Sequence, residues 1–290
     1  MLNAFTVDVE DWYQTHDFDF DFRTWDRFED RVEYSTRIIL EMLAECGVKA
    51  TFFVLGCVAQ RHPELVREIA GSGHEVGCHG GWHRMISHMR REEFREDLRW
   101  SRGMLEDISG CAVNLFRAPS WSISRDSLWA LQILEEEGFI CDSSIQPVHT
   151  PLSGINNAQL RPYYPIVDGH TLKLLEFPPT VLSWGKMRLP FAGGWYLRAI
   201  PLILIVWGLK KVNQMGPALV YIHPWEMDPE QPHLPASIPV RLSHYLNLAG
   251  NREKVRKLLA RVNFAPLGEV IKEGNFVTLP VTGGKDIVYK

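Results

Sequence analysis

No cysteine pair of the C-x-x-C type occurs in this chain, and its five cysteines, at 46, 57, 78, 111 and 141, are odd in number. Each sits in or beside an apolar run. They are expected to be small buried hydrophobes in a reducing compartment, not a disulfide framework. No basic run occurs, and the formal net charge is −4; a nucleic-acid partner is not expected. The start, Met1 to Asp8, has no basic n-region, long apolar segment or cleavage site. It already resembles a first core strand, so a cytoplasmic location is expected. No apolar run is long enough to span a bilayer. The longest, Leu197 to Leu209, contains Arg198 and is expected to be a buried helix. The alternative is a patch in peripheral contact with a membrane, aided by Lys210 and Lys211. Internal repeats, low-complexity tracts and a clear linker are also missing. One domain over residues 1–290 is therefore expected, with a motif-bearing core of about 4–230 and a helical C-terminal extension of about 235–290.

What is present is ordinary globular composition: 290 residues, 46% hydrophobic and 23% charged, enough for a sizeable core. Ten tryptophans either fill that core or wall a sugar-binding groove. From Ala4 to Glu10 apolar and polar residues alternate. Thr6, Asp8 and Glu10 therefore share one strand face, opposite Phe5, Val7 and Val9. A helix follows from Val32 to Cys46, closed by Gly47. Ala50–Gly56 is a buried strand, Pro63–Ala70 a helix, and His74–Cys78 a strand. Phe94–Ile108 is a helix ending at Gly110, Val113–Phe116 a strand, and Leu128–Leu134 a helix. Gly138–Cys141 is a strand ending in Asp142-Ser143-Ser144. Strand and helix recur at roughly 25 to 40 residues, the signature of a parallel sheet with helices outside. Residues 145–196 suggest loops or a small antiparallel insert. Leu172–Phe177 and Ala218–Ile222 complete the strands, and beyond Lys272 a strand or extended arm is expected.

The polar residues that could carry chemistry stand just after strands: Asp8, Glu10, His79, Arg117, Asp142 and His223. In a (β/α) barrel those ends share the face that carries the active site. His79 and His83, separated by H-x3-H spacing, can grip one ion if the chain turns helical after Cys78. Two histidines and a carboxylate hold a divalent cation in an open site. A second carboxylate can take a proton from water, and a separate histidine can give one to a leaving nitrogen. That inventory suits amide hydrolysis without a covalent intermediate; it also allows phosphoester hydrolysis. His74 is expected to be structural, and His16, His62, His88, His149, His170, His233 and His244 lack a constellation. Glu226 and Asp228 are expected in a solvated turn.

Five stretches, in order, resemble the polysaccharide deacetylases of the NodB-homology, carbohydrate esterase 4 type, in the branch associated with exopolysaccharide and exosortase clusters. They are Thr6–Trp12, Gly73–Glu75 running to His79–His83, Phe116–Ser120, Phe139–Ser144 and Tyr221–Glu226. The resemblance implies an α/β fold, a distorted, NodB-like (β/α) barrel of seven strands with loop insertions and a helical C-terminal region. It implies one divalent metal, zinc first, with cobalt, nickel or iron also fitting. Carried over, Asp8 is the general base, and Glu10, His79 and His83 are the metal ligands. Arg117 holds Asp8 ionised, His223 is the general acid, and Asp142 keeps it protonated. A backbone N–H of Ser120 or Trp121 faces the oxyanion. The implied substrate is an amino-sugar-containing glycan or a lipid-linked precursor, from which N-acetyl is removed; deformylation, small cyclic-amide hydrolysis and a non-catalytic sugar-binding barrel are the alternatives. The chain departs from the family pattern in three places. Val9 separates the two acids, which leaves Asp11 as a second possible ligand. Gly80 replaces a hydroxyl residue, and no aromatic follows Asp142. Trp82, Trp121, Trp184, Trp195 and Trp225 are candidates for the sugar wall.

Overall fold

The computed structural model describes residues 1–18, 20–150, 153–185 and 187–282. Its strands and helices are, in order, β1 (Asn3–Val9), α1 (Val32–Cys46), β2 (Thr51–Val54), α2 (Gly56–Arg61), α3 (Pro63–Gly71), β3 (Glu75–Cys78), α4 (Arg91–Ser109), β4 (Leu115–Phe116), α5 (Trp129–Glu136) and β5 (Cys141–Asp142). Then come β6 (Tyr163–Val167), β7 (His170–Thr171), β8 (Leu175–Glu176), β9 (Val181–Trp184), β10 (Met187–Pro190), α6 (Gly194–Ala199), α7 (Leu202–Val212) and β11 (Leu219–Ile222). The chain closes with α8 (Ile238–Tyr245), α9 (Leu248–Leu259), β12 (Phe264–Ala265), α10 (Leu267–Lys272) and β13 (Val277–Pro280).

Strands β11, β1, β2, β3, β4, β5 and β8 lie side by side and all run parallel. The sheet continues through β6, antiparallel to β8, to β13. Between β8 and β11 the wall carries an isolated bridge, Gly193 to Tyr221, supplied by the segment after β10. The result is a mixed α/β sheet curved into a distorted barrel. The antiparallel insert is the β9–β10 ribbon.

Alternation sorts the core into two clusters, one on each face. Phe5, Val7, Val9, Phe52, Val54, Phe116, Val220 and Ile222 pack outward against the helices with Ile39, Leu43, Leu65, Phe94 and Leu131. Ala4, Phe53, Leu115, Cys141, Leu175 and Leu219 fill the inside. Gly77 is needed there, because a Cβ would lie 2.6 Å from the Phe53 ring. The C-terminal region is more than helical: β12 pairs with β1, and Leu267 and Val270 of α10 join the inner cluster. Above that plug the inward positions turn polar: Thr6 and Asp8, then His79, Arg117 and His223.

Two expectations about burial fail. Leu197–Leu209 is not one buried helix. Pro201 cannot continue the first helix, so the run breaks into α6 and α7. In α7 only Ile205, Gly208 and Leu209 are buried, while Ile203, Leu204 and Trp207 stand exposed. Among the cysteines, 57, 78 and 141 are buried as expected, but Cys111 is exposed and Cys46 intermediate.

Candidate active site

Inward parity at four strand ends brings the charged residues together. Asp8 leaves β1 beside Arg117, whose Nη1 donates to Asp8 Oδ1 at 2.5 Å and to Thr6 Oγ1 at 2.9 Å. The pair is fully buried, and the guanidinium lies 4.3 Å from the centre of the Phe53 ring. Its Nη2 donates to Ser143 Oγ at 3.1 Å. These bonds fix one Asp8 oxygen and leave Oδ2 4.0 Å from His223 Nε2.

A tight turn after β1, with Glu10 N–H on Asp8 O, aims the Glu10 carboxylate back at the mouth. Its oxygens lie 2.5 Å from His83 Nε2, 3.9 Å from His79 Nε2 and 3.8 Å from His223 Nε2. Trp225 Nε1 donates to it at 3.2 Å. Burial alone would raise the Glu10 pKa, but His83 and His223 outweigh it and hold the carboxyl well below the usual range. Asp11 points elsewhere: it accepts the N–H groups of Trp12, Arg31 and Val32, tying the turn to the start of α1.

His79 and His83 are carried by a loop, not by a helix. Gly80 takes φ +77° and His83 φ +50°, so the loop doubles back. It is tied down by Asp97, which accepts the Gly81 N–H at 2.7 Å, and by the first N–H groups of α2. His79 Nδ1 donates to the Arg117 carbonyl at 2.8 Å, which turns its Nε2 lone pair to the mouth. Burial lowers its pKa to about 4, so the ring is neutral and able to ligate. Glu10, His79 and His83 each present a ligand atom, all within 4.8 Å of one another and all buried. Two imidazoles and a carboxylate are the donor set of an open divalent site.

His223 does not meet Asp142. Within 4.0 Å its ring faces Asp8, Glu10 and Glu226. Glu226 Oε2 accepts the His223 backbone N–H at 3.0 Å and sits 3.5 Å from Nδ1. Its other oxygen receives Arg198 Nε at 2.9 Å, both groups being fully buried. The solvated turn expected for Glu226 is thus a buried ion pair, and Asp228 is likewise buried on Arg31 Nε at 2.5 Å. Burial pushes His223 down, but Glu10 and Glu226 outweigh it and raise it to about 9. The expected role of Asp142 fails on parity. Ser143 faces Arg117, so Asp142 lies on the other side of the sheet, beside its β8 neighbour Glu176. Burial raises Asp142 to about 6 and pushes Glu176 well above its ordinary value.

The turn after Arg117 holds two consecutive non-glycine residues at positive φ, Ser120 at 52° and Trp121 at 51°, a costly conformation. Trp121 N–H is spent on the Ala118 carbonyl at 3.0 Å, which leaves Ser120 as the oxyanion candidate. His16, which had no constellation in the sequence, hydrogen-bonds Ser120 Oγ at 2.8 Å and packs 4.7 Å from the His83 ring. Of the candidate tryptophans, Trp121 packs on Tyr221 and Trp225 stacks on His223. Trp82 stacks on Trp100, and Trp184 and Trp195 are exposed.

The polysaccharide deacetylase family pattern matches residues 23–138. Over that stretch the chain is similar to the polysaccharide deacetylases. A second pattern, a domain of unknown function (DUF3473), matches residues 143–272, the part that supplies β11, His223, Glu226 and Arg198. Over 95 residues the chain is 34% identical to a peptidoglycan-N-acetylglucosamine deacetylase of Bacillus cereus, covering 32% of this chain and 34% of that one. It therefore spans about a third of that relative's length. A protein from Mycobacterium smegmatis described as a polysaccharide deacetylase superimposes with a TM-score of 0.63 at 22% identity, over 99% of this chain and 94% of the other. A carbohydrate esterase 4 pseudoenzyme from Bacillus anthracis gives 0.51 at 14% identity, over 96% and 66%. These likenesses show a shared fold.

Proposed function

We propose that this chain is a divalent-metal-dependent N-deacetylase of an amino-sugar unit in a surface polysaccharide or its lipid-linked precursor, of the exopolysaccharide-associated branch. One observation carries the reading: Glu10, His79 and His83 converge beside a buried Asp8–Arg117 pair and an oriented His223. A fold shared with a pseudoenzyme does not imply activity; the complete set of acid, base and ligand residues supports it. The named relative's substrate class, N-acetylglucosamine in a glycan, supports the choice of sugar.

When bound, the cation supplies Lewis acidity to the attacking water and the amide carbonyl, with zinc the first choice and cobalt, nickel or iron fitting the same donors. Asp8, oriented by Arg117 through one oxygen, accepts the proton of the water. Ser120 N–H, presented by the strained turn, donates to the oxygen as charge builds there. His223 Nε2 passes its proton to the sugar nitrogen as the C–N bond breaks, giving acetate and a free amine. Glu226 holds the Nδ1 side of that ring, and it remains available when Glu10 is engaged by the cation.

The test is acetate release by the metal-loaded protein from a panel of N-acetylated oligosaccharides, including chitooligosaccharides and peptidoglycan fragments. Release that vanishes in Asp8→Asn, while sugar binding persists, supports the reading. Binding without release of acetate from any sugar would assign the chain to a non-catalytic barrel; formate release would assign it to deformylation.

A further inference from the structure

We propose that the wall formed by the β9–β10 ribbon and α7 is a docking face for an anionic lipid surface. In the ribbon, Trp184 pairs with Met187 and Leu182 with Leu189. Cross-strand partners share a face, so one side of the ribbon is apolar throughout. The other side is tethered: Arg188 Nη1 donates to the carbonyls of Pro147 at 2.8 Å and Ala158 at 2.7 Å. Toward the ribbon's tip the apolar side is turned outward, with Trp184 78% and Met187 65% exposed, while Leu182 packs partly on the core.

Helix α7 continues the pattern. Ile203, Leu204 and Trp207 form one exposed stripe, with Ile203 73% exposed. The next turn of that stripe carries Lys210 and Lys211, both exposed. Phe191, directly after β10, packs on Gly208 of α7, where a Cβ would lie 2.7 Å from its ring. That contact joins the two apolar pieces. Among the described residues, seven of the fifteen exposed large apolar side chains fall between Trp184 and Trp207, so the exposure is concentrated and not scattered.

The charge arrangement selects the occupant. The chain is net negative, at −4, yet this stripe ends in two adjacent cations. Apolar and tryptophan side chains followed by lysines match a surface with an acyl layer beneath anionic headgroups. No helix of the described residues is long and apolar enough to cross a membrane, so the face would lie on the surface. It shares a wall with the active site: Gly193 lies so close to Tyr221 that a Cβ would sit 2.2 Å from that ring, two residues before His223. The proposal needs neither the metal nor the sugar and stands apart from the hydrolytic reading.

The experiment is co-sedimentation of the full chain with vesicles of phosphatidylcholine alone and of phosphatidylcholine mixed with phosphatidylglycerol. Strong pelleting is expected with the mixed vesicles, together with a blue shift of tryptophan emission. Lys210→Gln with Lys211→Gln should weaken that partition roughly thirtyfold. Trp184→Ser with Trp207→Ser should abolish it; both positions are exposed, so folding is spared. Pelleting with neither vesicle, or pelleting that these variants leave unchanged, would overturn the proposal. So would a dimer in equilibrium sedimentation that the tryptophan variant dissociates without vesicle binding, since the occupant would then be a second copy.

Discussion

Replacing Asp142 by Asn separates the geometry seen here from the role that family resemblance implies. Asp142 is buried beside Glu176 and titrates in the folded chain at about 6, against an ordinary value of 3.8, chiefly because burial penalises its charge. Between those values the folded chain holds more protons than the unfolded chain, so stability falls as pH rises. Holding that carboxyl at about 6 is worth ~3 kcal/mol, lost as pH climbs from the ordinary value to the folded one. Asn cannot titrate and keeps the shape. The variant should therefore match the parent near pH 4 and exceed it by ~3 kcal/mol at pH 7 and above. Over a chain of this size that is a rise in melting temperature of roughly 6–10 °C. Urea unfolding across that pH range, with chelator present so that metal does not add its own linkage, measures the difference. Because Asp142 lies on the sheet face opposite Arg117, kcat should stay within about twofold of the parent. A variant whose advantage over the parent is no larger at neutral pH than at acid pH would refute the electrostatic argument. A kcat loss of about a hundredfold would return Asp142 to the partner role for His223.

Glu226→Gln should lower kcat about a hundredfold with KM little changed, and Glu226→Asp should restore part of it. Steady-state kinetics check this, and nitrogen NMR should show the His223 ring losing its proton at lower pH than in the parent. Arg198→Met leaves Glu226 buried without its guanidinium partner and should cost about 3–5 kcal/mol in urea unfolding. Gly193→Ala should destabilise by at least ~2 kcal/mol in thermal melts, because its Cβ would sit 2.2 Å from Tyr221. His16→Ala frees Ser120 Oγ and should cut kcat about tenfold through the oxyanion turn, with metal content, read by atomic absorption, unchanged.

Much of this arrangement was legible in residue alternation. Period two along β1 put Asp8 and Glu10 on one side, and the same parity predicts inward Arg117 and His223. Applied to Cys141-Asp142-Ser143 it would have turned Asp142 away, since Cys141 fills the inner core and Ser143 meets Arg117. Glu226 and Arg198 were harder: they are 28 residues apart and meet only after α6 docks beside the turn that follows β11. Nothing local in His223-Pro224-Trp225-Glu226 distinguishes a buried ion pair from a solvated turn. His16 was invisible for the same reason, because its partner Ser120 is 104 residues away. H-x3-H spacing fits a helix and a doubled-back loop equally well, so it does not tell which carries His79 and His83. An apolar run reports hydrophobicity but not what covers it, so Leu197–Leu209 leaves a buried helix and an exposed patch both open.

The account stands on one convergence, the Glu10 carboxylate with the His79 and His83 imidazoles around a single cation. Zinc titration calorimetry on the metal-free chain tests it most directly, with Glu10→Gln, His79→Ala and Asp11→Asn alongside. One zinc per chain is expected, with affinity lost in Glu10→Gln and His79→Ala and kept in Asp11→Asn. Zinc bound equally well by Glu10→Gln, or lost only in Asp11→Asn, would contradict it.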